Sequence, residues 1–275
     1  DFLDKRPDDQ LDIEMVFNNA DNTKSWLSAI YNLIPDPLWD YSSYAYGYSM
    51  MSDEAHMASS LGQFGWGNLM NVQQGNWTPT IQVPGRDIWK DTYQKVRSAL
   101  IFLNNVKEIP DQRLTVEVVE RYKNEARFLV AYYYTRMLEV YGPFPLITEL
   151  SDADASAANL FKTRTPYDEI VDYLDHELLE LSKVLPVEYE DIDVGRPTKG
   201  VCLAVRAKML MFAASPLFNG NPDYASEKNK DGTLLFSQTV DKEKWKKAID
   251  ATKLVLDMPQ YQLYKEYNDD GTIDA

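Results

Sequence analysis

Six stretches of this chain place apolar side chains at helical spacing, and each one runs into a proline. Proline cannot continue a helix, so stripe and stop together commit most of the chain to bounded amphipathic helices. Thr23 is positioned to cap the first, with Trp26, Leu27, Ile30, Tyr31 and Ile34 on one face and Pro35 at its end. Asp87 is positioned to cap the second, which carries Trp89, Tyr93, Val96, Leu100 and Leu103 and stops before Pro110. Thr115 starts the third, with Ala126, Leu129, Val130, Tyr133, Met137 and Val140 inward and a stop at Gly142-Pro143. Thr165-Pro166 supplies a cap and a first-turn proline for the fourth, and Asp168 is placed for a capping box. Its face is Ile170, Leu174, Leu178 and Leu181, and it closes before Pro186. The fifth runs from about Thr198 to Ala214 and ends at Ser215-Pro216. Asp241 caps the sixth, with Trp245, Ala248, Ile249, Thr252 and Val255 inward and Pro259 beyond. Only Pro145–Thr148, Val83 and Tyr261–Tyr264 read as short extended pieces, so the expected class is mainly α.

Successive helices of this length predict α-hairpins. Trp89-x-x-x-Tyr93 and Trp245-x-x-Ala248 resemble the aromatic start of tetratricopeptide repeats, although no strict 34-residue period holds. An ordinary helical bundle stays open on pattern alone.

Charge narrows the function classes. The 275 residues carry a formal net charge of −15. That speaks against nucleic acid, which needs clustered Lys and Arg, and against anionic membrane surfaces. The single cysteine, Cys202, allows no internal disulfide and reads as a small core residue. No run of 18 apolar residues is present, so no spanning helix is expected. The chain opens on Asp1 without a signal peptide or initiator Met, as a processed mature form would.

Catalytic patterns are weak. His56 and His176 are the only histidines, and Asp53-Glu54-Ala55-His56 lacks the second zinc ligand of a His-Glu-x-x-His helix. No nucleophile elbow or phosphate loop occurs, and Gly62-Gln-Phe-Gly65-Trp-Gly67 has the wrong order for a dinucleotide fingerprint. Asp53 and Glu54 are a possible carboxylate pair, but neighbours on a helix or strand diverge and would not face one glycosidic bond together. No catalytic, metal or cofactor site is expected.

Binding fits better. Asp36–Arg86 has no sustained period and is rich in Gly, Asn, Ser, Tyr and Trp. An irregular stretch this long inside a domain is usually functional. Flat Trp and Tyr faces stack on the C–H faces of sugars, while Asp and Asn hydrogen-bond hydroxyls. Trp66 and Trp77 are the preferred platforms and Asp53 the preferred polar contact, with Trp39, Tyr46, Tyr48 and Asn71 as further candidates. A second irregular stretch, Gly220–Val240, reads as an exposed loop.

Two long segments carry a family resemblance. Glu125-Ala-Arg-Phe-Leu-Val-Ala-Tyr-Tyr-Tyr134 with Tyr141-Gly-Pro-Phe-Pro-Leu-Ile-Thr148 resembles one hallmark of SusD/RagB proteins. Gly195-Arg-Pro-Thr-Lys-Gly200 leading into Ala207-Lys-Met-Leu-Met-Phe-Ala-Ala-Ser-Pro-Leu-Phe-Asn219 resembles a second. Shorter matches keep the family's order, among them Asp1-Phe-Leu-Asp4, Ser52-Asp-Glu54 and Arg164-Thr-Pro-Tyr-Asp-Glu-Ile170. Pro197 departs from the small residue usual there and is expected only to stiffen the start of the helix. Ala126, Ala131, Ala207, Ala213 and Ala214 allow close helix approach, so both hallmarks read as scaffold rather than as a ligand site.

The resemblance implies a mainly α fold of tetratricopeptide-like hairpins with an irregular aromatic insertion at 36–86. It implies a surface lipoprotein of the outer membrane of a Bacteroidetes-type bacterium, attached through a lipid anchor upstream of residue 1. Such proteins are not enzymes. They bind oligosaccharides, or in RagB-type branches peptides, and act as the lid of a SusC-like TonB-dependent transporter. Family chains are longer, so a C-terminal half is expected beyond residue 275. An α-helical glycosidase and a helical-repeat interaction scaffold are the alternatives from other classes.

Overall fold

A computed structural model of the chain describes residues 12–34, 53, 74–76, 88–151 and 162–266. Among them are seven α-helices: α1 Ile13–Phe17, α2 Ala20–Tyr31, α3 Trp89–Asn105, α4 Val116–Tyr141, α5 Tyr167–Val184, α6 Lys199–Ala214 and α7 Glu243–Leu256. No strand occurs among the described residues, only isolated bridges between Ile109 and Leu114 and between Lys228 and Leu234. The mainly α expectation holds. The extended pieces at Pro145–Thr148 and Tyr261–Tyr264 do not pair as strands. Val83 lies outside the described residues. No described helix is long and apolar enough to cross a membrane.

Side-chain contacts fix the helix directions. Trp89 at the start of α3 meets Tyr141 at the end of α4, 5.2 Å between ring centroids, so the two run antiparallel. The Lys199 amide donates to the Pro186 carbonyl at 2.8 Å, which turns α6 back along α5. Lys244 pairs with Asp168 at 2.6 Å, and Lys247 pairs with Asp175 at 2.8 Å. α7 therefore runs the same way as α5, with α6 between them. This is the expected succession of α-hairpins. Leu129, Met137, Ile170, Leu174 and Leu178 bury completely between α4 and α5. At about 25 cal/mol per Å² of apolar surface, such a core dominates the stability.

Local differences from the sequence pattern have physical reasons. Asn19, not Thr23, caps α2: its side chain accepts from the Asn22 amide at 2.9 Å. Thr23 is inside the helix, and its hydroxyl donates to the Asn19 carbonyl at 2.8 Å. The short α1, with Phe17 buried, was not evident from the pattern. α5 begins at Tyr167 rather than Thr165, because the Thr165 hydroxyl accepts from the Leu146 amide. Asp168 forms no capping box, since its carboxylate is held by Lys244. Asp241 does act at the start of α7, accepting from the Glu243 amide at 2.9 Å. Only Ala248 and Ala251 of α7 bury, however, whereas Trp245 is 43% and Ile249 53% exposed. Val140, expected inward on α4, is also exposed. Cys202 is buried on α6, as expected. Pro197 is buried one residue before the cap Thr198, whose side chain accepts from the Val201 amide at 3.3 Å.

Two glycines hold conformations that other residues resist. Gly142 ends α4 at φ +65°, and a Cβ there would lie 3.3 Å from Phe236 Cζ. Gly220 follows the second hallmark at φ +76°, and a Cβ there would lie 2.7 Å from the Val240 backbone nitrogen. A phenyl ring can shift; a backbone nitrogen cannot do so cheaply. Gly142→Ala should therefore cost about 1–3 kcal/mol, the range for a strained φ, and Gly220→Ala more than about 3 kcal/mol. Urea unfolding midpoints check this, and equal midpoints for the two variants would contradict it.

Candidate ligand-binding site

Trp39, Tyr46, Tyr48, Trp66, Asn71 and Trp77 lie outside the described residues. Asp53 is described and exposed, as a polar contact must be. Gln74–Asn76 form a turn in which Asn76 donates to the Gln74 side chain at 3.4 Å, with Gly75 at φ +71°. Of the seven candidates only Asp53 is among the described residues, and the residues that flank the segment show how the helices meet it.

The chain leaves the helices at Ile34, against α4. There the Tyr133 hydroxyl donates to the Ile30 carbonyl at 2.5 Å, and the Tyr31 hydroxyl donates to Glu125 at 2.7 Å. It rejoins them at Ile88, whose amide donates to the Tyr141 hydroxyl at 3.1 Å. Both ends of segment 35–87 are thus fastened to α4, the helix of the first hallmark.

The second attachment is aromatic. Trp89 packs edge-to-face on Tyr141 and on Tyr93, with centroids 5.2 and 5.5 Å apart. Tyr93 leads on to Tyr134 at 6.5 Å, and Tyr134 stacks on Phe144 at 5.1 Å. The Tyr93 hydroxyl donates to the Pro145 carbonyl at 2.6 Å, and that of Tyr134 to the Ile147 carbonyl at 2.7 Å. Burial pushes both phenols well above their ordinary pKa, so they remain neutral donors. Trp89, Tyr93 and Tyr141 are partly buried.

A polar cluster underlies the first attachment. Glu125 has no exposed surface, yet it pairs with Arg196 at 2.6 Å. Arg196 also binds Asp193 at 2.7 Å, and Arg121 reaches Asp193 at 3.4 Å. Both guanidinium groups lie over the Tyr122 ring, 5.5 and 5.7 Å from its centroid. Burial, helped by the negative charge of Glu125, pushes the Tyr189 phenol up to about 12. Every carboxylate here is matched by a guanidinium, so the cluster holds structure rather than a free base. Sequence reasoning missed it; the available signal was an acidic residue, Glu125, between Tyr122 and Leu129 on the buried stripe of α4.

No three His, Cys, Asp or Glu side chains among the described residues stand close enough to hold a metal ion. Burial pushes the Cys202 thiol up to about 12, which keeps it out of its reactive thiolate form. His176 is exposed on α5, as expected for a solvated residue, and His56 lies outside the described residues.

Residues 1–211 match a SusD-like family described as starch-binding and associating with the outer membrane. The chain belongs to this family. Among solved structures, the SusD-like fold superposes on BT4246 with a TM-score of 0.74 at 27% identity, covering 90% of this chain and 41% of that one. It is similar to surface glycan-binding protein A from Bacteroides uniformis, with a TM-score of 0.58, 20% identity and coverage of 90% and 48%. It is also similar to a laminarin-binding SusD-like protein, with a TM-score of 0.53, 21% identity and coverage of 71% and 41%. The chain thus spans less than half the length of these relatives. No curated protein matches it.

The Asp193 carboxyl yields a pH prediction. The hydrogen bond and charge of Arg196, followed by the charge of Arg121, hold it below the ordinary aspartate range. A lowered folded-state pKa contributes stability above the unfolded value of about 4, which is lost as pH falls through the folded value. The SusD-like chain should lose more stability between about pH 5 and about pH 3 than its Asp193→Asn variant does. Parallel pH profiles in urea unfolding would contradict the assignment.

Proposed function

We propose that this chain serves a cell-surface glycan-binding lipoprotein that delivers oligosaccharides to a SusC-like TonB-dependent transporter, closing over it as a lid. The observation that carries the reading is the family match across residues 1–211, whose description joins starch binding to the outer membrane. Two structural relatives are themselves named for glycan binding, one for laminarin. The location is then the outer membrane of a Bacteroidetes-type bacterium, with attachment through a lipid anchor upstream of residue 1.

The aromatic chemistry agrees. Segment 36–86 supplies Trp66 and Trp77 as platforms, Asp53 as a polar contact, and Trp39, Tyr46, Tyr48 and Asn71 as further contacts. Tyr31 and Ile88, which flank the segment in sequence, both bond to α4. Amphipathic rings suit a ligand with apolar C–H faces and polar edges. The role is binding without turnover: the adjacent carboxylates Asp53 and Glu54 would diverge rather than face one glycosidic bond together.

Affinity electrophoresis of the full-length protein against a panel of polysaccharides tests this directly. The wild type should be retarded by at least one glycan, and Trp66→Ala or Trp77→Ala should weaken retention about tenfold or more, a loss of about 1.4 kcal/mol. Unchanged retention in both variants would reject the platforms. Release of reducing sugar from the retaining glycan would reject the non-catalytic role, and retention by peptides alone would shift the ligand class to peptide.

A further inference from the structure

Three helices share one register. Trp89, Tyr167 and Trp245 stand in the first turns of α3, α5 and α7 and are equally spaced along the chain. The residues four, seven and eleven places after each ring fall on the same helix face as the ring. On α3 they are Tyr93, Val96 and Leu100, and on α5 Val171, Leu174 and Leu178. On α7 they are Ile249, Thr252 and Leu256.

The face is covered on α3 and α5. Of those six residues Tyr93 is half-buried and the rest are buried. Each leading ring meets an aromatic side chain at the end of the next helix. Trp89 packs on Tyr141, the last residue of α4, and Tyr167 stacks on Phe218, just past α6, with centroids 4.4 Å apart. α3–α4 and α5–α6 are therefore two hairpins, each closed by a ring pair.

On α7 the same face is exposed among the described residues. Trp245, Ile249 and Thr252 are exposed, and Leu256 is 72% exposed. The buried side of α7 is a different one, carrying Ala248 and Ala251. The helix that ends a stack of hairpins ordinarily presents a polar outer face, because an apolar one costs solubility. α7 instead presents a second apolar stripe about 16 Å long, at 1.5 Å per residue. The residues after it extend the apolar surface. Tyr261 packs against Gly200 near the start of α6, while Leu263 and Tyr264 are each 86% exposed.

We propose that α7 is the first helix of a third hairpin, whose second helix comes from the remainder of the full-length chain and covers Trp245, Ile249 and Leu256. The register selects this occupant. The equivalent rings on α3 and α5 are met by the next stretch of the same chain, and Trp245 is the third of the series. A large apolar side chain at the far end of the covering helix takes the place that Tyr141 and Phe218 hold in the other two hairpins. The chain spans less than half the length of its structural relatives, so a protein of their length has ample residues for this helix. A sugar could stack on the Trp245 ring, but it has no use for an aliphatic row one and three turns further on.

The test uses purified full-length protein, free of glycan and transporter, so its outcome is independent of the function proposed above. Ile249→Cys and Leu256→Cys report on the stripe, and Lys246→Cys, whose native side chain is 69% exposed on the same helix, reports free access. The native Cys202 is buried and stays silent. Maleimide should label both stripe cysteines at least tenfold more slowly than Lys246→Cys, at every protein concentration. A photo-crosslinking residue at position 245 should join, within the monomer, to a peptide beyond residue 275. Equal labelling at the three positions overturns the hairpin, as does a cross-link confined to residues 1–275. Protection that is lost on dilution, with the cross-link in a dimer, gives the face to a second copy and overturns it too.

Discussion

Glu125 is a carboxylate with no exposed surface in the middle of the longest described helix, and the way its charge is met organises much of the molecule. Removing an ion from water costs several kcal/mol, so a buried charge persists only with close, well-placed partners. Arg196 supplies the opposite charge at 2.6 Å and Tyr31 a hydroxyl at 2.7 Å. One residue comes from the loop before α6 and the other from the last turn of α2. A single carboxylate thus ties together three parts of the chain that lie far apart in sequence. Its second oxygen accepts no hydrogen bond and has only Arg121 near it, at 3.8 Å. The geometry therefore leans on Arg196.

This pair also joins the two segments that carry the family resemblance. Glu125 opens the first and Arg196 lies at the start of the second. Read as sequence, both looked like packing scaffold, with small residues for close approach and sharp stops. That reading stands for Ala126, Ala131, Ala207, Ala213 and Ala214, all buried. It omitted the charge that crosses between them. Tyr31, bonded to the same carboxylate, ends α2 shortly before segment 35–87 in sequence.

How much was legible follows from the range of each interaction. Helical stripes and proline stops are local, and they placed α2 through α7 to within a few residues. Caps are local too, yet tertiary partners took two of the expected ones: Thr165 was claimed by the Leu146 amide and Asp168 by Lys244. On α7 the stripe overstated burial, because only Ala248 and Ala251 meet α6 closely while Trp245 and Ile249 remain exposed. The Glu125 cluster was not legible, since it depends on residues brought together from 71 positions apart. Of the candidate site, only Asp53 lies among the described residues. The ring contacts joining Trp89, Tyr93 and Tyr141 follow from the antiparallel run of α3 and α4.

A double-mutant cycle on Glu125 and Arg196 tests the dependence on this pair most directly. If the pair ties the two family segments together, Glu125→Ala leaves Arg196 with Asp193 alone and Arg196→Ala leaves Glu125 with only the more distant Arg121, whereas the double variant removes both charges. Urea unfolding should then show strong non-additivity, with the double variant costing no more than the worse single one and a coupling of about 2 kcal/mol or more. Additive losses, with coupling below about 0.5 kcal/mol, would show that the two segments are held by apolar packing alone and would contradict the account.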